Sequence, residues 1–487
     1  MELGPEDDEL SLKERIMDNP RPAMIWLAGA LLLLSVQFGA VAETIMSVPP
    51  WNDIVDLLPV APGAAALAAF GDRLADLPTL LSRETIPNQG YYHPETGWEN
   101  TFLGLSPAWA WAVRVALIYV YAFVWCGWLW YAYEIFREHY RYADWTPRDD
   151  MVDRLRVHRW GQFGLVIVIA FLVMALFAPA MSPTVADANL YNPYSYDFEY
   201  YDDDVGEVVT ITEGAANAQS YSRGGDANIG PMQYDDFDRF APFGTMQDGK
   251  DLFTFMAYGA RVSLFIGLLY LFLAGFIATA FALLTAYYKG LVDLAVVITG
   301  DSIQAMPQLL LLIMLSVVLG GTWIAEIYNG GLILALIFAA TGWPGLWRAV
   351  RGPALQVSEQ EWIDAAKSFG QRPSVTMQKH MFPYVLGYLL IYSSMNLGGV
   401  IIGVAGLSFL GIGVNPPTPE WGRAVSGGQP YVETASWHIS LLPGIMIVFV
   451  VTAFNALGDG IRDAIDPKID VGGGEDEAAG SAAGGGA

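Results

Sequence analysis

Cysteine is all but missing: Cys126 is the only one in 487 residues. No disulfide within the chain and no Cys-based metal site follow from it. Its place in an apolar run suits a small buried apolar residue. Lysine is nearly as scarce, with Lys13, Lys250, Lys289, Lys367, Lys379 and Lys468 the full set. Lys and Arg together number 25 against 50 Asp and Glu, a net charge of -25. Nucleic acid is thereby excluded as a partner, because phosphate contacts need clustered cations. A carboxylate-rich, Lys-poor surface suits very high salt, where screening removes self-repulsion. It points to a halophilic setting; the plainer account is one acidic tail and one acidic loop on an ordinary membrane protein. Also absent is any Gly-x-x-x-x-Gly-Lys-Ser/Thr loop, so the chain does not cradle ATP by that device and no cofactor is expected in it.

Charge of either sign makes up only 15% of the chain, and apolar residues make up 54%. That balance belongs to an all-α polytopic membrane protein. A span needs about 20 mostly apolar residues. Eight such runs lie near 24–43, 107–132, 161–181, 262–287, 294–320, 331–350, 384–405 and 439–458. Arg114, Asp301, Pro307 and Pro344 interrupt them, which a helical bundle tolerates. The first run ends near Ala40-Val41-Ala42, like a signal peptide, but its length and acidic flank favour an uncleaved anchor.

Eight spans place both termini on one side. The segments on that side collect Lys13, Arg15, Arg21, Arg137, Arg141, Arg148, Arg154, Arg156, Arg159, Lys289, Arg348, Arg351, Lys367, Arg372, Lys379, Arg462 and Lys468. The other side holds Arg73, Arg83, Arg223, Arg239, Lys250 and Arg423. The positive-inside rule then predicts a plasma-membrane protein with both termini cytoplasmic. The predicted layout is a cytoplasmic tail over 1–23, three spans over 24–181, an extracellular Tyr/Asp-rich insertion over 182–243, five spans over 244–468, and a disordered Gly/Ala/Glu tail over 469–487. The insertion reads as a docking platform, a calcium site or a salt-tolerant disordered loop; its acid spacing matches no calcium loop.

The loop between the sixth and seventh spans carries the densest local signal. Ser358-Glu359-Gln360-Glu361 reads as a capping box. A helix follows through Phe369, with Gly370 as a left-handed stop. Trp362, Ala365, Ala366 and Phe369 fall at i, i+3, i+4 and i+7, one face. Pro373 opens a second short helix from Met377 to Phe382, ending at Pro383 where the next span begins. At about 30 residues this loop is well above the usual helix–helix connection of 2–8, which argues for a partner. Arg348 and Arg351 either anchor the chain or brace the loop. Asp459, Arg462, Asp463 and Asp466 are spaced for pairing along a helix end. Asp301 is an intramembrane acid, for which a functional role is the default reading.

Asp364-Ala365-Ala366, then Gly370, then His380-Met381-Phe382-Pro383 resembles the EAA signature of binding-protein-dependent ABC importer permeases. His380 resembles the oligopeptide, dipeptide and nickel branch. So do Gly244-Thr245-Met246-Gln247-Asp248-Gly249-Lys250-Asp251, Thr341-Gly342-Trp343-Pro344, Leu407-Ser408-Phe409-Leu410-Gly411 and Asn455-Ala456-Leu457-Gly458-Asp459-Gly460. Asp364 stands where Glu is usual, and Val404 where Glu is frequent. The resemblance covers about 244–468. It implies a type I importer permease core of five helices and a coupling helix that docks on a separate ATPase through Asp364, Ala365, Ala366, Lys367, Gly370, His380 and Pro383. It further implies a second permease subunit, two cytoplasmic ATPase subunits that bind the ATP, and an extracellular solute-binding protein. Peptides lead as substrate, with nickel and oligosaccharides behind; other function classes are a secondary transporter, for which no internal repeat is found, and a membrane scaffold.

Overall fold

The computed structural model describes residues 12–39, 79–141, 147–220 and 228–465. The tail over 469–487, Ala40-Val41-Ala42, Asp466 and most of the first outer loop lie outside the described residues.

In chain order the bundle begins with α1 (Leu12–Asp18) and α2 (Arg21–Val36), bent by 96° at Asn19-Pro20. Proline there has no N–H to continue a ladder and starts the new helix instead. Next come the hairpin β1 (Tyr91–His93) and β2 (Gly97–Glu99), then α3 (Pro107–Ile135), α4 (Pro147–Val157) and α5 (Arg159–Leu176). The described residues of the segment after α5 are folded, not disordered: β3 (Asp197–Asp202) pairs antiparallel with β4 (Glu207–Thr212), and α6 (Glu213–Ser220) follows. The five-span part is α7 (Leu252–Tyr288), α8 (Gly290–Ala305) with α9 (Gln308–Leu319), α10 (Gly331–Ser358), the short α11 (Glu361–Ser368), α12 (Pro373–Phe409), α13 (Trp421–Gly428) and α14 (His438–Ile465).

Among the described residues six helices are long and apolar enough to cross a membrane, and up to eight spans result if each bent pair is one. The run over 294–320 is therefore two half-helices, α8 and α9, meeting at 87°. Pro307 pushes Met306 out of the helical region, to φ -78 and ψ 140, and the ladder stops there. α12 runs unbroken from Pro373, so Pro383 lies in a continuous rod and not at a junction. A π turn over Met377–Met381 lets the ring in without a break.

Small residues set the packing. Ala274, Ala278, Ala282 and Ala286 recur every four residues along α7 and are fully buried. That stripe lets α10 approach closely, as small residues do between membrane helices. On the other flank α5 crosses α14, where a Cβ on Gly164 would meet the Ala453 carbonyl at 2.5 Å. Asp463 pairs across this crossing with His158 at 3.2 Å, in place of the pairing along the helix end expected with Asp459 and Arg462. Cys126 is half-buried on α3 and not enclosed as expected.

The added N-terminal part is bolted to the β3–β4 segment. Fully buried Arg114 donates to the Ile86 and Ser182 carbonyls at 2.8 and 2.9 Å, and Asn88 donates to the Pro183 carbonyl. The Tyr92 amide donates to Asp238, and Trp98 stacks on Tyr234. Within the segment Arg239 is clasped by Asp235 and Glu213 at 2.7 and 2.5 Å. Tyr and Asp are abundant here because they bond one another, as Tyr196 does to Asp187.

Candidate functional site

The loop after α10 is built differently from its capping-box reading. Ser358 closes α10, its hydroxyl donating back to the Leu355 carbonyl, and α11 begins at Glu361 with Gln360 in the cap position and no side-chain cap. The i to i+4 ladder of α10 outcompetes the local Ser–Glu exchange. The stop at Gly370 forms as expected. Gly370 sits at φ 73, the Gln371 amide donates to the Ala366 carbonyl, and the Gly370 amide donates to the Lys367 carbonyl. Those two bonds satisfy carbonyls that a helix end leaves bare, and only a residue without Cβ takes that φ freely.

α11 is pinned by one residue. Ile363 is fully buried in the cluster that holds Val357, Met381 and Val385. The face read from the sequence turns the other way: Trp362 is 54% and Phe369 90% exposed, Ala365 is exposed and Ala366 half-buried. Among the described residues Phe369 is left almost bare and Trp362 is only partly covered. Asp364 is exposed and pairs with Lys367 at 3.5 Å; Lys367 also lies over the Tyr287 ring at 5.2 Å. Gly370, His380 and Pro383 are exposed. A rigid, short helix thus presents two large aromatics with a mixed-charge rim, the composition of an interface anchor.

Behind the loop, three ion pairs tie α8 to the end of α10. Lys289 meets Glu359 at 3.1 Å, Arg351 takes Asp293 through two bonds of 2.9 and 2.6 Å, and Arg348 engages Asp301. Arg348 and Arg351 therefore brace the half-helix α8 against α10. Arg351 also lies over the Trp347 ring at 5.5 Å, and Asp293 holds its guanidinium. Asp301 is not a lone acid but the partner of Arg348.

Sequence reasoning missed a second feature. At the α8–α9 break lies a cavity of about 480 Å³ among α7, α10 and α12. Tyr270, Gln304, Gln308, Thr341 and Asn396 supply its polar lining. The readable signal was present: uncharged amides on both sides of Pro307 inside an apolar run. Gln304, Met306 and Gln308 are exposed, so this polar break forms an outer wall of the isolated chain.

Residues 265–471 match the family described as "Binding-protein-dependent transport system inner membrane component", and residues 146–205 match the "N-terminal TM domain of oligopeptide transport permease C". The dipeptide transport system permease protein DppC of Alkalihalophilus pseudofirmus is 28% identical over 330 residues, covering 68% of this chain and 92% of that protein. DppC of Bacillus subtilis is 33% identical over 227 residues, 47% of this chain and 68% of that one. The glutathione transport system permease protein GsiD of Escherichia coli is 32% identical over 325 residues, 66% and 91% respectively.

Proposed function

The chain belongs to the inner-membrane permease subunits of binding-protein-dependent ABC importers, in their oligopeptide/dipeptide branch, and on that footing we propose that it forms one half of a peptide translocation path driven by ATPase subunits that dock on α11. The observation that carries the docking assignment is the contrast on α11: Ile363 fully buried, Phe369 90% exposed. A helix seated by one face and bare on the other transmits a push from whatever covers the bare face. Peptides are the substrate because the relatives' own names are dipeptide and glutathione permeases.

The partners follow from chemistry left open. The exposed polar break between α8 and α9 is not tolerated against lipid, which leaves its backbone and amide groups unsatisfied. A second permease subunit covers it and encloses the path. Both termini and α11 lie in the cytoplasm by the distribution of Lys and Arg. The hairpin segment faces outward, where a solute-binding protein delivers the peptide. ATP binds to the partner ATPases and not to this chain. Their closure carries α11 with it, and the ion pairs Lys289–Glu359, Asp293–Arg351 and Asp301–Arg348 pass the displacement to the broken span. The permease pair then shifts between two populations of one path, open inward or outward. The acid-rich surface fits work in concentrated salt.

The test is ATP-dependent peptide uptake by the complex reconstituted with both ATPases, the second permease and the binding protein. Asp364→Lys and Gly370→Pro abolish uptake while the two permeases still co-purify. Uptake at the unsubstituted rate in both variants sinks the docking assignment.

A further inference from the structure

The cavity at the broken span has a chemistry of its own. Its polar groups are three primary amides, a phenol and a hydroxyl, with no acid or base among its lining residues. A primary amide carries both donors and an acceptor, the same pair that a peptide bond presents. The nearest ions are turned on each other: Arg348 engages Asp301, and its other arm holds the Gln304 carbonyl oxygen. That bond fixes the Gln304 amide nitrogen toward Gly345 on the cavity wall, 3.8 Å from where a Cβ would stand. Across the space, the Asn396 amide nitrogen donates to the Tyr392 carbonyl at 2.7 Å, and its oxygen meets the Tyr270 hydroxyl at 3.5 Å. One wall is thus an oriented donor and another an oriented acceptor. Gly345 and Gly399 leave the wall without side chains, so a ligand's main chain comes close, while Gly342 makes room for the Tyr270 ring. A volume of about 480 Å³ lies within the range of built ligand sites.

We infer that this cavity is a substrate subsite of the path, and that it takes the peptide by its backbone amides and is indifferent to the charge of its side chains. This rests on the peptide-import reading above and deepens it. A site built from uncharged amides neither repels nor traps acidic or basic residues, so it passes cargo chosen elsewhere. Gln308, exposed on the first turn of α9, and Asn396 are the residues that bond the peptide's backbone amides.

The experiment uses the full complex in proteoliposomes, with uptake of one acidic and one basic tripeptide measured against ATP hydrolysed in the same vesicles. In the combined variant Gln308→Leu and Asn396→Leu, uptake of both tripeptides per ATP falls about tenfold or more, as loss of two amide partners requires. Gln308→Asn recovers part of it. Gln308→Glu alone raises the basic-to-acidic uptake ratio, which is near one in the unsubstituted complex. Uptake per ATP unaltered by the double replacement, or a ratio unmoved by Gln308→Glu, overturns the subsite. A fall in the double variant that Gln308→Asn does not relieve also overturns it, since the residues then act through packing. An unsubstituted complex that hydrolyses ATP yet carries no tripeptide refutes the peptide-import reading itself, a result distinct from either.

Discussion

Phe369→Ala separates a docking role for α11 from a structural one. In the free chain Phe369 is 90% exposed, so removing its ring deletes almost no internal packing. Surface replacements of that kind shift stability by about 0.5 kcal/mol or less. Covering a Phe side chain on docking contributes roughly 1.5–3 kcal/mol. At 1.4 kcal/mol per decade, the affinity of the ATPase subunit falls about 10- to 150-fold. Ile363→Ala is the counterpart. Ile363 is fully buried, and its truncation costs roughly 2–5 kcal/mol of local stability through lost contacts and the void left behind. The assay is titration of the purified ATPase onto the permease pair in nanodiscs, with thermal melting of the same samples. Phe369→Ala is to weaken binding with the melt unshifted, whereas Ile363→Ala lowers the melt and weakens binding together. Equal ATPase affinity for Phe369→Ala and the parent, or a melt lowered as far as in Ile363→Ala, refutes the assignment.

Two more tests address the hairpin segment. Burial pushes the Asp251 carboxyl up to about 7 from 3.8; its Oδ2 accepts from the Thr254 amide at 2.6 Å, and its buried Oδ1 meets no donor. A folded-state pKa above the unfolded one means the folded chain keeps a proton that the unfolded chain releases between pH about 4 and 7. Stability therefore falls as pH rises through that window and levels off above it. Asp251→Asn raises the melting temperature at pH 8 and flattens the slope between pH 4 and 7, by roughly 4 kcal/mol at most; an unchanged slope counts against the buried acid. Burial also raises Glu213, against the pull of Arg239, so some slope remains in the variant. Arg114→Met strips two carbonyl partners from the joint between the first hairpin and Ser182, about 1–3 kcal/mol each. Amide hydrogen exchange of residues 86–93 speeds up in this variant, and protection equal to the parent's contradicts the joint.

What the sequence revealed and what it hid divide along range. Six of the eight apolar runs, the Gly370 stop and the shared face of Trp362 and Phe369 on α11 are local patterns realised among the described residues. Gly370 was readable because φ 73 selects for glycine almost alone. The capping box failed on equally local evidence because two helices compete for Ser358, and α10, packed along its length on α7, extends through it. The roles of Arg348 and Arg351 stayed open because their partners Asp301 and Asp293 lie 47 and 58 residues away. No spacing rule reaches that far. The break at Pro307 was visible as a residue but not as an angle, since hydropathy averages over the turn that creates the cavity. This also explains why the α11 signal and the cavity signal differ so much in strength. α11 is one short continuous segment, so its exposed face and its Gly370 stop form a compact motif. The cavity needs only uncharged hydrogen-bonding groups around a gap, and Tyr270, Gln304, Gln308, Thr341 and Asn396 reach it from four separate spans. A cavity lined by generic hydrogen-bonding groups from distant spans leaves a diffuse trace, whereas a short helix closed by a glycine stop leaves a sharp one.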